Sequence, residues 1–289
     1  MNNYLKILQG DCIEEMEFIP DNSVQCCVTS PPYFGLRDYG VDGQIGLEQT
    51  PEEYVRKMVE VFREVRRILK PDGTLWLNLG DTYAKKDYDG ICKKKELIGV
   101  PWIVALALRA DGWYLRQDII WHKPNTMPEA VKDRCTKSHE YIFLLTKEDR
   151  YFFDSDAIKE PDSGKPSGNG FKGRQSGSST YHADQNGGGG SIGRWFPGNG
   201  RNKRSVWTVT TKPYKGAHFA TYPPDLIEPC ILAGSRPNDV VFDPFGGSGT
   251  TAAVALKHAR RAMLCELNPQ YVELIKQRTH EVIWSDEPL

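Results

Sequence analysis

The segment from Val240 to Glu266 constrains the fold more than any other part of this 289-residue chain. Val240-Val241-Phe242 is a short apolar run of the kind that forms a buried strand. It leads into Asp243-Pro244-Phe245-Gly246-Gly247-Ser248-Gly249-Thr250-Thr251. A helix is expected from about Gly249 to His258, then a strand from Ala262 to Cys265 that ends in Glu266. This order of strand, glycine loop, helix, strand and acid holds a nucleotide-type ligand across the C-terminal edge of a parallel sheet. Glu266 lies 23 residues beyond Asp243, close to the spacing of roughly 20 at which a carboxylate meets ribose hydroxyls. A glycine turn of purely structural purpose is the competing reading, and the flanking strands, helix and acid weigh against it.

The loop has no lysine where a Walker loop needs one, and it does not match Gly-x-Gly-x-x-Gly. A glycine loop without phosphate-binding equipment suits S-adenosylmethionine, whose ribose carries a sulfonium chain. A second stretch, Val24-Gln25-Cys26-Cys27-Val28, also reads as a buried strand and ends in Thr29-Ser30-Pro31-Pro32-Tyr33. Neither proline has an N–H to donate, so strand pairing stops there. The Ser30 hydroxyl, the Pro31 carbonyl and the Tyr33 ring then converge on one strand end. Together they suit a flat ring bearing an amino group.

The rest of the chain supplies further α/β units. Leu5 to Leu8 reads as a strand and Cys12 to Ile19 as a helix. Asp11 between them is a natural N-cap, and it also stands at a strand end that faces a ligand crevice. Thr50-Pro51-Glu52-Glu53 opens a helix to about Leu69, with Glu53 completing a capping box. Thr74 to Leu79 follows as a parallel strand. Pro101 to Ala110 reads as a helix, and Trp113 to Trp121 and Tyr141 to Leu145 as strands, with Tyr151 to Phe153 as a hairpin partner for the latter. His122 at a strand end reads as a packing or surface residue ahead of a catalytic base. Lys123, Lys132, Arg134 and Lys137 form a basic loop suited to phosphates or to solvent.

Composition changes near Ser155. Nearly half of the 27 glycines lie between Pro161 and Gly200. Lys165, Lys172, Arg174, Arg194, Arg201, Lys203 and Arg204 face only Asp162 and Asp184 between Pro161 and Arg204, in a chain whose net charge is −1. Such a segment reads as a linker, or as one that orders on nucleic acid with arginines on phosphates and base edges.

Ser30-Pro31-Pro32-Tyr33 after an apolar strand resembles the catalytic motif of DNA amino-methyltransferases, which methylate the exocyclic nitrogen of cytosine or adenine. Asp243 to Thr251 resembles the cofactor motif of the same enzymes. The catalytic motif precedes the cofactor motif, with the variable segment between, an order similar to that of their circularly permuted β group. The resemblance covers nearly the whole chain. It implies an α/β Rossmann-like S-adenosylmethionine-dependent methyltransferase fold, with a mostly parallel seven-stranded sheet and an inserted target-recognition region. Residues 1–154 would form the catalytic half, 155–205 the recognition region and 206–289 the cofactor half.

By the same resemblance, Ser30, Pro31, Pro32 and Tyr33 are catalytic. The cofactor would meet Asp243, Phe245, Gly246, Gly247, Ser248, Gly249, Thr250 and Thr251, with Glu266 on the ribose and Asp11 and Cys12 on the adenine. Ala217 to Pro223 resembles a further cofactor element, including His218, although Phe219 stands where a proline is frequent. Lys123, Arg134, Arg174, Arg194, Arg201, Lys203 and Arg204 are the expected DNA contacts. The serine form of the motif is typical of cytosine-N4 enzymes, and adenine-N6 enzymes usually carry aspartate at that place. The expected activity is site-specific methylation of a flipped cytosine in double-stranded DNA, with adenine N6 as the alternative. A non-catalytic DNA-binding module is the alternative of another class. A homodimer and a cognate restriction endonuclease are the expected protein partners.

Other classes fit poorly. The 7 cysteines include no Cys-x-x-Cys pair, so no metal is expected and a reducing cytoplasm is the expected location. The first residues lack a signal-peptide pattern, and no apolar run approaches the ~20 residues that span a bilayer. Cytosine C5 methylation would need a nucleophilic cysteine after Pro229, but Pro229-Cys230 falls inside an apolar helix from Asp225 to Leu232. Protein amide methylation, associated with an asparagine form of the motif, is disfavoured by the basic variable segment.

Overall fold

The computed structural model describes residues 4–161, 200–211 and 222–284. Arg174, Arg194 and His218 lie outside the described residues. The chain opens with strand β1 (Leu5–Gln9), helix α1 (Cys12–Met16) and strand β2 (Val24–Thr29). Every residue of β2 is buried, as a central strand covered on both faces must be. Helix α2 (Pro51–Ile68) starts at Thr50, whose hydroxyl accepts the Glu53 N–H, and it buries Tyr54, Met58, Val61, Phe62 and Val65. Glu53 reaches back to the Gln49 N–H, not to that of Thr50, so the capping box is displaced by one residue.

Strand β3 (Leu69–Leu79), helix α3 (Val100–Ala110), strand β4 (Tyr114–His122) and strand β5 (His139–Thr146) follow. After the inserted segment come strand β6 (Val206–Thr208), helix α4 (Pro224–Gly234), strand β7 (Val240–Asp243), helix α5 (Thr250–Lys257), strand β8 (Arg261–Glu266) and helix α6 (Pro269–Trp284). The strands form one sheet in the order β1-β8-β7-β2-β3-β5-β4-β6. Among the described strands, β5 alone runs against the others. One core packs α1, α2 and α3 against one face, and a second packs α4 and α5 against the other. The result is the α/β Rossmann-like architecture with a mostly parallel sheet.

Three expectations need correction. The sheet has eight strands among the described residues, because Val206–Thr208 adds a parallel edge strand beside β4. Tyr151 to Phe153 forms no hairpin, since β5 is already paired on both sides by β3 and β4. The Phe152 and Asp154 N–H groups donate instead to the Asp72 and Ala233 carbonyls. Helix α1 ends at Met16, three residues before Ile19, in a tight turn whose Glu17 N–H bonds the Glu14 carbonyl. Among the described residues no helix is long and apolar enough to cross a membrane.

Helix α4 meets the sheet through Gly234. A Cβ there would lie 2.7 Å from both Cys26 Sγ and Thr74 Oγ1, and 2.9 Å from Trp76 Nε1. Gly234→Ala is expected to overpack this contact and to lower stability by about 1–3 kcal/mol. A urea melt should show a lower midpoint with an unchanged slope.

Candidate active site

β2 and β7 are neighbours, yet the chain leaves β2 toward β3 on one side and β7 toward β8 on the other. At such a switch point the loops part and leave a crevice beyond the carboxyl ends of the strands. Here it is a cleft of about 640 Å³, within the range of small-molecule sites. Residues of the two sequence motifs, far apart along the chain, both line it.

The lining includes Asp11, Cys12, Phe245, Gly246, Gly247, Ser248, Thr250 and Glu266. Asp11 both lines the cleft and caps α1, accepting the Ile13 N–H at 2.8 Å. Cys12 is buried, which pushes its thiol up to about 12, so it is an apolar wall and not a nucleophile. Glu266 accepts the Gly247 N–H at 2.7 Å on one oxygen and the Asn268 N–H at 2.8 Å on the other. Burial outweighs these two bonds and raises its carboxyl to about 7. Gly247 sits at φ +52°, a backbone region that favours glycine.

Asp243, Gly249 and Thr251 do not line the cleft. Asp243 instead lies under the loop as a buried acceptor. It takes the Thr29 hydroxyl at 2.6 Å and the Phe245 N–H at 3.0 Å on one oxygen, and the Thr251 and Tyr222 hydroxyls at 2.6 and 3.0 Å on the other. Burial raises its carboxyl to about 6 against the pull of these donors. Gly249, at φ +76°, precedes α5 and packs against Ile275.

The lining also includes Ser30, Pro31, Pro32 and Tyr33. The Tyr54 hydroxyl donates to the Pro32 carbonyl at 2.9 Å, while among the described residues no donor meets the Pro31 carbonyl. Tyr33 packs so closely on Gly80 that a Cβ there would fall 2.6 Å from Tyr33 Cε2. The Tyr33 hydroxyl lies 3.2 Å from Ser30 Oγ, 3.1 Å from Asn78 Oδ1 and 2.7 Å from Glu140 Oε2. Burial, then the Glu140 charge, raises the Tyr33 phenol well above its ordinary value, so it stays protonated.

The basic residues divide. Lys123 turns into the cleft, bonds Glu140 Oε1 and lies 4.1 Å from the centre of the Trp121 ring. Arg134 pairs with Glu129 and covers the Tyr83 ring, and Lys137 faces Asp81 at 3.8 Å. Arg201 and Arg204 both bond Glu160 at 3.0 Å, where an antiparallel bridge between Glu160 and Arg201 ties the two ends of the inserted segment together. Lys203 lies over Trp207. His122 is outside the cleft lining and bonds Thr208 Oγ1 at 3.1 Å. Among the described residues no group of His, Cys, Asp or Glu could hold a metal.

Sequence reasoning did not single out Asn78, Glu140 or Tyr222. Glu140 reaches the site only because β4 and β5 pair antiparallel with Trp121 opposite Glu140, while β3 ends alongside. No spacing rule links residues 30, 78, 123 and 140. Tyr222 enters through its bond to Asp243, at the edge of the stretch that resembled a cofactor element.

The Thr29–Asp243 bond joins the two motif-bearing strands. Thr29→Val keeps the shape and removes the donor, leaving Asp243 short of a partner in a buried site. Stability is expected to fall by about 1–3 kcal/mol in chemical denaturation, as for other buried acceptors that lose a donor.

Comparison with known proteins agrees with this geometry. A family model described as DNA methylase (N6_N4_Mtase) matches residues 24–277. The chain is 43% identical to the type II methyltransferase M.Cfr9I of Citrobacter freundii over 96% of its own length and 88% of that protein. It is 44% identical to M.SmaI of Serratia marcescens over 94% and 90%. Among solved structures, PvuII DNA methyltransferase (cytosine-N4-specific) superposes with a TM-score of 0.67 at 21% identity, covering 99% of this chain and 88% of that one. A putative DNA modification methylase of Thermus thermophilus, TTHA0409, solved with S-adenosyl-L-methionine, superposes with a TM-score of 0.64 at 25% identity over 97% of each chain. With a family model spanning most of the chain and relatives matched nearly end to end, the protein belongs to the N6_N4_Mtase family of DNA methylases.

Proposed function

We propose that this DNA methylase moves a methyl group from S-adenosylmethionine to the exocyclic N4 of a cytosine flipped out of double-stranded DNA. The observation that carries the reading is that Ser30, Pro31 and Tyr33 line the same cleft as Gly246, Gly247 and Glu266. An amine bound at Ser30 and Pro31 and a ligand bound at Glu266 would share this one cleft.

The cofactor end fits S-adenosylmethionine. Glu266 offers a carboxylate for a ribose diol, the glycines leave room for close approach, and no lysine waits for a phosphate. A structure solved with S-adenosyl-L-methionine shares the fold. The bound cofactor supplies an electrophilic methyl group on a sulfonium, so attack leaves the C–S electron pair on sulfur as a thioether. An exocyclic amine is a weak nucleophile because its lone pair is delocalised into the ring. Ser30 Oγ and the Pro31 carbonyl accept its two hydrogens and draw the nitrogen toward a tetrahedral form. The lone pair would attack the methyl carbon as its bond to sulfur breaks, and the methylated nitrogen would release one proton to water. Much of the acceleration comes from positioning. The target must leave the duplex to enter the cleft, and Tyr33 replaces its lost stacking.

The serine at position 30 favours cytosine N4 over adenine N6, the second reading. The order of the motifs favours the permuted β arrangement. We assign residues 1–154 and 206–289 as the two halves of one methyltransferase domain, because β1 to β5 and β6 to β8 share one sheet. We assign residues 155–205 as the target-recognition region, which the Glu160–Arg201 bridge closes at its base. Kinship with type II methyltransferases supports a partnership with a restriction endonuclease.

Treating mixed-sequence duplex DNA with protein and S-adenosylmethionine, then digesting it for nucleoside mass spectrometry, should yield N4-methylcytosine. N6-methyladenine would overturn the assignment of the base. Ser30→Ala should lower the yield about 100-fold, as for other lost transition-state hydrogen bonds.

Glu266 sets a pH dependence. Its carboxyl titrates near 7 in the free protein, and a ribose diol is held by the ionised form. Cofactor affinity is therefore expected to rise as pH increases from 6 to 8 and then level, with a proton released on binding at the lower pH. Calorimetry in buffers of different ionisation heat would measure both. In Glu266→Gln the slope should vanish.

A further inference from the structure

Resting on the reading that Ser30 accepts a hydrogen from the target amine, we propose that Glu140 fixes the polarity of the hydrogen-bond chain behind Ser30. It thereby selects a base that presents an amino group over one that presents a carbonyl.

A serine hydroxyl is ambivalent, since it can donate or accept. To accept from an amine, its own hydrogen must point elsewhere. The Tyr33 hydroxyl, 3.2 Å from Ser30 Oγ, is where it points. Tyr33 can accept only if its single hydrogen is also directed away. Two acceptors lie on the far side, Glu140 Oε2 at 2.7 Å and Asn78 Oδ1 at 3.1 Å. The shorter contact, to the carboxylate oxygen, is the stronger. Asn78 is held with its oxygen toward Tyr33, because its Nδ2 donates to Glu140 Oε2 at 3.2 Å and to the Tyr141 carbonyl at 3.0 Å. Every donor in the chain therefore points from the cleft toward Glu140. Ser30 is left with lone pairs facing the base.

Two further features hold this arrangement. Lys123 bonds the other Glu140 oxygen and so holds the partly buried carboxylate in place. Gly80 lets Tyr33 and Glu140 approach, since a Cβ there would stand 2.6 Å from Tyr33 Cε2 and 3.3 Å from Glu140 Cδ. A cytosine amine meets this acceptor array with two hydrogens. The O4 of uracil or thymine meets it with lone pairs and is repelled. Glu140 acts through Tyr33 and Ser30, so it is a positioning residue.

The test uses the full chain and a duplex containing its mapped methylation site, with cytosine or uracil at the target position. Glu140→Gln can donate to Tyr33 and so reverse the chain. Tyr33→Phe keeps the stacking ring and removes the link. Each should lower kcat about 10- to 100-fold with calorimetric affinity for S-adenosylmethionine unchanged. The double variant should be no slower than the slower single one, because both break one chain. In cofactor-free binding, the cytosine-to-uracil affinity ratio of either single variant should fall about tenfold from that of the unsubstituted protein. Losses that multiply in the double variant, or an undiminished ratio in both single variants, would overturn the proposal alone. An unsubstituted protein that leaves cytosine unmethylated would overturn the underlying reading as well.

Discussion

The carboxylate of Asp243 is the interaction on which the site depends. It sits at the end of β7 and takes four donors, from Thr29, Tyr222, Phe245 and Thr251. Thr29 ends β2 one residue before Ser30, while Phe245 opens the glycine loop. One buried group thus ties the end of β2, next to Ser30, to the glycine loop. A buried carboxylate is tolerable only when hydrogen-bonded, and each of its bonds here ties in a different segment. That is a physical reason for an aspartate that touches no part of the cleft.

The two acids of the cofactor end respond to pH in the same direction. Burial raises Asp243 to about 6 and Glu266 to about 7, both above ordinary carboxyl values. The folded chain therefore holds protons that the unfolded chain has released, so their contribution to stability is lost as pH rises through the interval from about 4 to 7. A ligand that binds the ionised form of Glu266 works against that loss. Binding and stability are linked at one residue.

The base end follows a different logic. Its charged pair, Lys123 and Glu140, comes from β4 and β5, the antiparallel part of the sheet. Reversal of β5 brings the start of that strand to the same edge as the ends of β2, β3 and β4. Several basic residues expected to meet DNA are partnered within the protein, with Lys123 on Glu140 and Arg201 and Arg204 on Glu160.

The sequence by itself determined the mostly parallel α/β architecture, the two motifs and the place of Glu266 at a strand end, because each is written in local pattern. Apolar runs broken by Pro31-Pro32 or Gly246-Gly247 mark strand ends, and Thr50-Pro51 marks a helix start. The residue after a strand in a parallel sheet reaches the ligand edge whatever the rest of the fold does. Only the tertiary structure decided which motif residues face the cleft and which lie beneath it. Asp243 and Phe245 are two residues apart, yet one is a buried brace and the other lines the cleft. It also decided that Glu140 and Asn78 stand behind Tyr33. Those contacts depend on strand order and register across the sheet, and residues so distant in sequence carry no local signal of the strand that will lie beside them.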